Sequence, residues 1–432
     1  MIQKSILQKI LAVLARQTIR KYKPVIIGIT GSVGKTSARL ATYAVLKNKF
    51  SVRTAEKNYN NEIGLPLTIL GIPHSGRNIF AWAYQLAIAA RRLAVSLAYR
   101  RYPEVLILEY GVDCPGDMGY LLKIARPDIA VTTAIGEVPV HVEFFKSPEE
   151  LIAEKAKLVA ALPAHSPAGN AGGWAVLNSD DRAVSAMRAK TAARVITFGR
   201  DARADVKIAN ENSATSVSGL AFKIEYKGSV VPVRLTGAFG APQAYAAASA
   251  AAVGLLLGMN LVEISEALAD YAPPAGRMRI IEGIRGSQIL DDTYNAAPEA
   301  MRAALQTLRD LPAARKIAVL GDMRELGRYT KDAHRAIGAL AAQSADLIYC
   351  VGEYARYIAD EAIARGADRE KVVLFPDAAS AAAALAPTIQ KGDLVLVKGS
   401  QSTRMERIVE TLMAHPEAAE DLLVRQEPYW KN

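Results

Sequence analysis

The sequence predicts an α/β protein: a P-loop domain with a mostly parallel sheet, followed by a C-terminal Rossmann-like α/β domain. Three observations predict it. Residues 28–37 read Gly-Ile-Thr-Gly-Ser-Val-Gly-Lys-Thr-Ser directly after the apolar run Val25-Ile26-Ile27. Apolar runs of strand length alternate with helical stretches over residues 24–270, as a parallel sheet with crossover helices requires. The same alternation restarts beyond Pro273-Pro274-Ala275-Gly276, which reads as a linker.

The chain has 432 residues, enough for two or three domains. Its two cysteines, Cys114 and Cys350, are far apart and lack metal spacing. They argue for a reducing, cytoplasmic compartment and against a disulfide framework or zinc site. The net charge of +10 is concentrated in two segments. Residues 1–23 hold Lys4, Lys9, Arg16, Arg20, Lys21 and Lys23 and no acid; residues 77–103 hold Arg77, Arg91, Arg92, Arg100 and Arg101 and no acid. The rest is close to neutral, which argues against a general nucleic-acid binder.

Residues 1–23 form the first expected unit, a basic amphipathic helix with Ile6, Leu7, Ile10, Leu11 and Leu14 at helical spacing. The second basic segment, 77–103, is helical with a looser apolar pattern and reads as an insertion. Charges interrupt both, so neither is a membrane span. Three readings stay open for them: surface helices packed on the body, contact with an anionic membrane at its inner face, or a protein partner.

Residues 24–272 form the central domain. Its strands are expected at 25–27, 105–108, 129–131 and 174–177. Residues 195–235 change character and suggest an antiparallel patch around a Lys227-Gly228 turn. An alanine-rich helix follows over 242–257. Residues 276–432 form the C-terminal domain, with strands expected at 289–290, 317–320, 347–351, 372–375 and 394–397.

The loop carries the chemistry. Gly31 and Gly34 let the backbone curl so that N–H groups, with Ser32 and Ser37 nearby, point at phosphate oxygens. Lys35 adds a positive charge where the β- and γ-phosphates lie, and Thr36 offers a hydroxyl to Mg²⁺. Ile29 stands where the strict pattern has its first glycine, so the match is to a shorter Gly-x-x-Gly-Lys-Thr form. The pattern predicts ATP binding. Glu109 follows the 105–108 strand, at the carboxyl end where such sheets bind ligands, and is a candidate Mg²⁺ ligand. His141 follows the next strand; a lone histidine is more often structural. Lys155 falls in the expected helix 148–162, whose default reading is a solvated face.

These residues resemble those of the Mur ligases, which join amino acids or peptides in cell-wall precursor synthesis. The resemblance is greatest to the branch that adds D-alanyl-D-alanine to a muramoyl tripeptide. It rests on the loop 30–36, on Asn58-Tyr59-Asn60-Asn61-Glu62, on Glu109-Tyr110-Gly111 with Pro115-Gly116-Asp117, and on Asn178-Ser179-Asp180-Asp181. Gly276-Arg277-Met278, Asp291 to Pro298, Val319 to Gly327 and Val397 to Ser402 continue it. It implies Thr36, Glu109, His141 and Lys155 as partners of one or two Mg²⁺ ions, with Lys155 carried as a carbamate. It implies ATP contacts from Gly31, Ser32, Gly34, Lys35, Thr36, Ser37, Arg277, Asp292 and Asn295. Gln243 stands where the family has an adenine-side asparagine. Asn60, Asn61 and Glu62 match the acceptor side, and Lys398 and Ser400 are further substrate candidates. Lys35, His141 and Lys155 are the expected catalytic residues.

The reaction so implied is ATP-dependent amide formation through an acyl phosphate, between a peptide or muropeptide acceptor and an amino-acid or dipeptide donor. The family's separate UDP-sugar domain has no counterpart in the two dozen residues before the loop, which opens a second reading: a Mur-like ligase for a lipid-linked or other non-UDP acceptor. A non-catalytic ATP-binding scaffold is the third; it has no need of Lys155 or His141.

Overall fold

The structure, a computed structural model, describes residues 2–55, 59–76, 78–94, 102–164, 173–212, 219–427 and 430. Asn58, Arg77, Arg100 and Arg101, named above, lie outside them, as does the Lys4 side chain.

The basic leader is helix α1 (Ile2–Tyr22). Strand β1 (Val25–Thr30) follows, and its apolar run is buried along most of its length. A run apolar on both faces suits a central parallel strand covered by helices above and below. The loop leads into helix α2 (Lys35–Leu46), then strand β2 (Val52–Thr54), helix α3 (Gly64–Leu70) and helix α4 (Ile79–Ala94). Strands β3 (Val105–Glu109), β4 (Ile129–Thr132), β5 (Trp174–Asn178) and β6 (Arg194–Gly199) continue the parallel sheet. Strands β7 (Val206–Asn212), β8 (Gly219–Tyr226) and β9 (Ser229–Thr236) end it as the expected antiparallel patch, with Lys227 and Gly228 in the turn.

The order is β2-β3-β1-β4-β5-β6-β7-β8-β9. The chain runs out to one side of β1 through β3 and β2, then returns to its other side at β4. Ligands bind beyond the carboxyl ends of strands at such a reversal, and the glycine-rich loop leaves β1 there. Hydrophobic layers cover both faces. One joins α2, through Ala38, Ala41 and Val45, to the alanine-rich helix Ala241–Leu256. The other holds Ala12 and Ala15 of α1 with Leu151, Leu158 and Val159 of the helix Pro148–Ala160. Each fully buried leucine or isoleucine in these layers contributes on the order of 1.5–3 kcal/mol.

The second sheet has the order β10-β11-β15-β12-β13-β14. Its strands are β10 (Arg279–Glu282), β11 (Gln288–Asp292), β12 (Arg315–Gly321), β13 (Leu347–Val351), β14 (Val372–Phe375) and β15 (Asp393–Lys398). Only β10 runs antiparallel to its neighbour. The register sets Asp292 beside Lys398 at the carboxyl ends of β11 and β15. Across the linker, Phe239 N–H donates to Met278 O at 3.2 Å.

Helix α4 buries only Trp82 and Ala89. It exposes Ile79, Phe80 and Tyr84, with Phe80 88% exposed. Among the described residues no helix is long and apolar enough to cross a membrane.

Candidate active site

Gly31 and Gly34 take φ of 145° and 86°, conformations that favour glycine. A Cβ on Gly31 would meet Thr133 Oγ1 at 2.1 Å, so the loop lies flat against the turn after β4. Ser32 and Val33 N–H both donate to Ala134 O, at 2.7 and 3.0 Å. The first turn of α2 has Gly34 at its cap and no side chain bonded across it. Its N–H groups and the positive end of the helix dipole are therefore open to an anion. Ser32 Oγ and Arg277 Nε are buried without a partner, as polar atoms awaiting a ligand would be. Thr36 and Ser37 sit in that first turn, Ser37 buried.

Two lysines converge on the loop. Lys35 Nζ donates to Gly31 O at 2.8 Å, and Lys155 Nζ donates to the same oxygen at 3.2 Å. Lys155 is 1% exposed, so the solvated-face reading of its helix position fails. Its helix starts at a Ser147 cap with Pro148 in the first turn, and that start aims position 155 inward at the loop. Burial, with Lys35 beside it, pushes the Lys155 amine far below the ordinary lysine range. Burial lowers Lys35 too; Glu109 opposes that shift and Arg277 adds to it.

Glu109 is buried at the end of β3, and its Oε1 accepts from Arg39 Nε at 2.6 Å. Arg39 also reaches Thr54 Oγ1 at 3.1 Å and the Ala55 carbonyl. His141 takes a left-handed conformation with φ 72°. Its Nε2 is 3.4 Å from Asp113 Oδ1 and its Nδ1 is 2.6 Å from Glu325 Oε2 of the C-terminal domain. The His141 contact holds the Glu325 carboxyl below its usual range. Among the described residues no group of three or more His, Cys, Asp or Glu is placed to hold a metal. The hydroxyl of Thr36 and the carboxylate of Glu109 are nonetheless hard oxygen donors of the kind Mg²⁺ takes alongside phosphate and water.

The second domain brings Arg277, whose guanidinium stacks on Tyr294 at 4.0 Å from the ring centre. Asp292 Oδ2 accepts from Lys398 Nζ at 2.6 Å, and the same amine donates to Asn295 O at 2.9 Å. Lys398, expected as a substrate contact, is thus buried and paired with Asp292. Ser400 is likewise turned to structure: its Oγ accepts from Arg324 N–H at 2.8 Å. Gln243 lies deep in the interior. It is 1% exposed, Nε2 donates to Arg277 O at 2.8 Å, and Oε1 accepts from Tyr271 OH at 2.6 Å. Both ends of its amide are engaged within the protein, so it braces Arg277 from behind.

On the other side, Asn60, Asn61 and Glu62 line a cavity of about 280 Å³ with Asp113, Asp117 and Tyr120. Asn60 O accepts from Gly111 N–H at 2.8 Å, and Asn61 Oδ1 accepts from Gly64 N–H at 2.9 Å, fixing the start of α3. Sequence reading missed Arg39, Asp113 and Tyr294. Arg39 carried a signal: it is one helical turn after Lys35, on a helix whose other inward positions are small or apolar.

Residues 91–252 match the Mur ligase middle domain, and residues 276–401 match the domain described as Mur ligase, glutamate ligase domain. A UDP-N-acetylmuramoyl-tripeptide–D-alanyl-D-alanine ligase of Mycobacterium tuberculosis is 34% identical over 411 residues, covering 90% of this chain and 73% of that protein. The ligase of the same name from Bacillus subtilis is 27% identical, covering 93% of this chain and 79% of that one. A solved MurF ligase from Thermotoga maritima, in complex with ADP, superposes with a TM-score of 0.75 at 28% identity, covering 94% of this chain and 83% of that one.

Proposed function

The chain belongs to the Mur ligase family, and from that premise we propose that it is an ATP-dependent peptide ligase that joins D-alanyl-D-alanine to a muramoyl-tripeptide acceptor. The observation that carries this reading is the convergence of Lys35 and Lys155 on one loop carbonyl, beside an uncapped helix start.

In this reading the acceptor carboxylate attacks the γ-phosphorus of ATP, giving an acyl phosphate and ADP. The donor amine then attacks the acyl carbon and phosphate leaves. Lys35 and the α2 N–H groups stabilise negative charge on the transferring group. Arg277, held against Tyr294 and braced from behind by Gln243, reaches the nucleotide from the second domain. Asn60, Asn61 and Glu62 receive the acceptor. Bound Mg²⁺, one ion or two, would neutralise phosphate charge, with Thr36, Glu109 and His141 as protein partners. Neutral Lys155 amine is the form that adds CO₂: the N–C bond forms, a proton leaves to solvent, and an uncharged buried amine becomes a carbamate anion. The depressed basicity of Lys155 supports that modification.

A scaffold would have no use for a buried lysine of lowered basicity at the loop, which favours catalysis. The test is ADP release by the full chain with UDP-N-acetylmuramoyl-tripeptide, D-alanyl-D-alanine and Mg-ATP. Release that needs both substrates supports the reading; ADP formation indifferent to either one refutes it.

A second reading has its own observation. Helices α1 and α4 pack together through Leu11 and Trp82, expose Ile6, Ile10 and Val13 on one and Ile79, Phe80 and Tyr84 on the other, and carry basic residues and no acid. That pairing supports contact with an anionic membrane face, and with it an acceptor carried on lipid.

A further inference from the structure

A cavity of about 640 Å³ lies between α1, α3, α4 and the outer strand β2, apart from the loop that holds ATP. Its volume is in the range of small-molecule sites. Arg53 and Arg92 both line it, and none of its described lining residues is acidic. Neither guanidinium has a carboxylate partner among the described residues. Arg53 Nη1 donates to Ile69 O at 2.9 Å, and Arg92 Nη1 donates to Leu70 O and Gly71 O, each at 3.0 Å. Each arginine keeps donors beyond those bonds, since guanidinium carries five N–H groups. Burial lowers the basicity of Arg53; Tyr102 opposes that shift and Arg92 adds to it, so two positive charges sit close together there.

The walls are built to stay in place. Tyr22 and Tyr102 stack at 4.5 Å between ring centres, and Arg53 lies over Tyr102 at 4.8 Å. Tyr22 OH donates to Arg92 O at 3.2 Å, and Tyr102 OH donates to Ile69 O at 2.6 Å. The lining also includes the apolar side chains of Leu67, Leu70, Ile72 and Leu93. A cavity lined by two guanidiniums without carboxylate partners and by several apolar side chains suits an organic phosphate ester: anion on arginine, carbon skeleton on leucine. Its position adds a second point. Tyr59 lines this cavity while its neighbours Asn60, Asn61 and Glu62 line the smaller one on the acceptor side.

We propose that this cavity binds the phosphate or diphosphate of an organic phosphate ester through Arg53 and Arg92. Taken with the ligase reading, on which this extension rests, the ester is the phosphorylated end of the acceptor, with its peptide running past Tyr59 to the smaller cavity.

The ester has two possible sources, a soluble nucleotide-sugar or a lipid headgroup, and calorimetry separates them. The full chain is first saturated with a non-hydrolysable ATP analogue and Mg²⁺, so that the loop is blocked. UDP-N-acetylglucosamine is titrated in one arm and monomeric short-chain phosphatidylglycerol in the other. Saturable heat is expected in at least one arm, weakened about tenfold or more in Arg92→Gln and in Arg53→Gln. Leu93→Glu, which sets an opposing charge in the cavity and leaves both arginines, is expected to weaken it equally. Binding of the ATP analogue reports folding in each variant. Heat in the first arm assigns the soluble ester, and heat in the second alone assigns the lipid. Silence in both arms overturns the proposal, and so does undiminished binding in any variant that still takes the analogue. ADP release, measured separately, reports on ligation, so loss of one reading leaves the other legible.

Discussion

Arg39 Nε stands 2.6 Å from Glu109 Oε1, and both side chains are buried beneath the loop. Removing one member of such a pair leaves the other charge desolvated and alone, a loss of about 3–5 kcal/mol. Arg39→Met is therefore expected to lower unfolding stability by that order. If Glu109 is a metal partner, added Mg²⁺ with an ATP analogue should restore part of the loss in this variant and shift the parent less. Denaturant melts with and without Mg²⁺ check it; equal shifts in both proteins would remove Glu109 from the metal's partners.

Lys35→Ala should fold and lose ligation. Removing one preorganised charge from a phosphoryl-transfer site costs about 10²–10³ in kcat. ADP release at saturating substrates measures it, and near-parental turnover would take Lys35 out of the chemistry.

Lys155→Ala should also lose activity, and acetate should recover part of it by standing in for the carbamate's carboxylate. The parent should slow when bicarbonate and CO₂ are stripped from the buffer. An alanine variant indifferent to acetate, together with a parent indifferent to bicarbonate, would discard the modification.

Asp291 is buried behind Asp292, and burial raises its carboxyl to about 6. The folded state thus holds this proton more tightly than the unfolded chain, whose aspartate titrates near 3.9. Its contribution to stability is full below about pH 4 and is lost as pH rises through about 6, a change of up to about 3 kcal/mol. Asp291→Asn has no such titration. The stability difference between parent and variant should drift against the parent across that window and be flat above it. A difference that stays constant from pH 4 to 7 would place the Asp291 carboxyl in its ordinary range.

Phe80→Glu places a charge at the most exposed apolar position of α4 without touching the buried Trp82 and Ala89. If the basic helices meet lipid, sedimentation with phosphatidylglycerol vesicles should fall severalfold in this variant and fall with salt in the parent. Sedimentation unchanged by the substitution would assign any vesicle binding to another surface.

Strands and helices were largely legible because burial on both faces imposes continuous apolar runs, and β1, β3 and β4 have them. The loop was legible because few residue types tolerate its backbone, as the φ of Gly31 and Gly34 attest. Motif likeness found Lys155, whose helical position alone read as solvated. What stayed hidden was pairing. A sequence names Lys398 and Asp292 but does not say that they neutralise each other across two strands. It names Gln243 but not that Tyr271 and Arg277 occupy both ends of its amide. Arg39, Asp113 and Tyr294 escaped because their roles arise only when segments distant in the chain come together.

The link from His141 to Glu325 joins a turn of the first domain to a turn of the second. Any swing apart of the two halves must pull that carboxylate off the imidazole. The ring's proton resonance therefore doubles as a gauge of the population in which the two halves are shut.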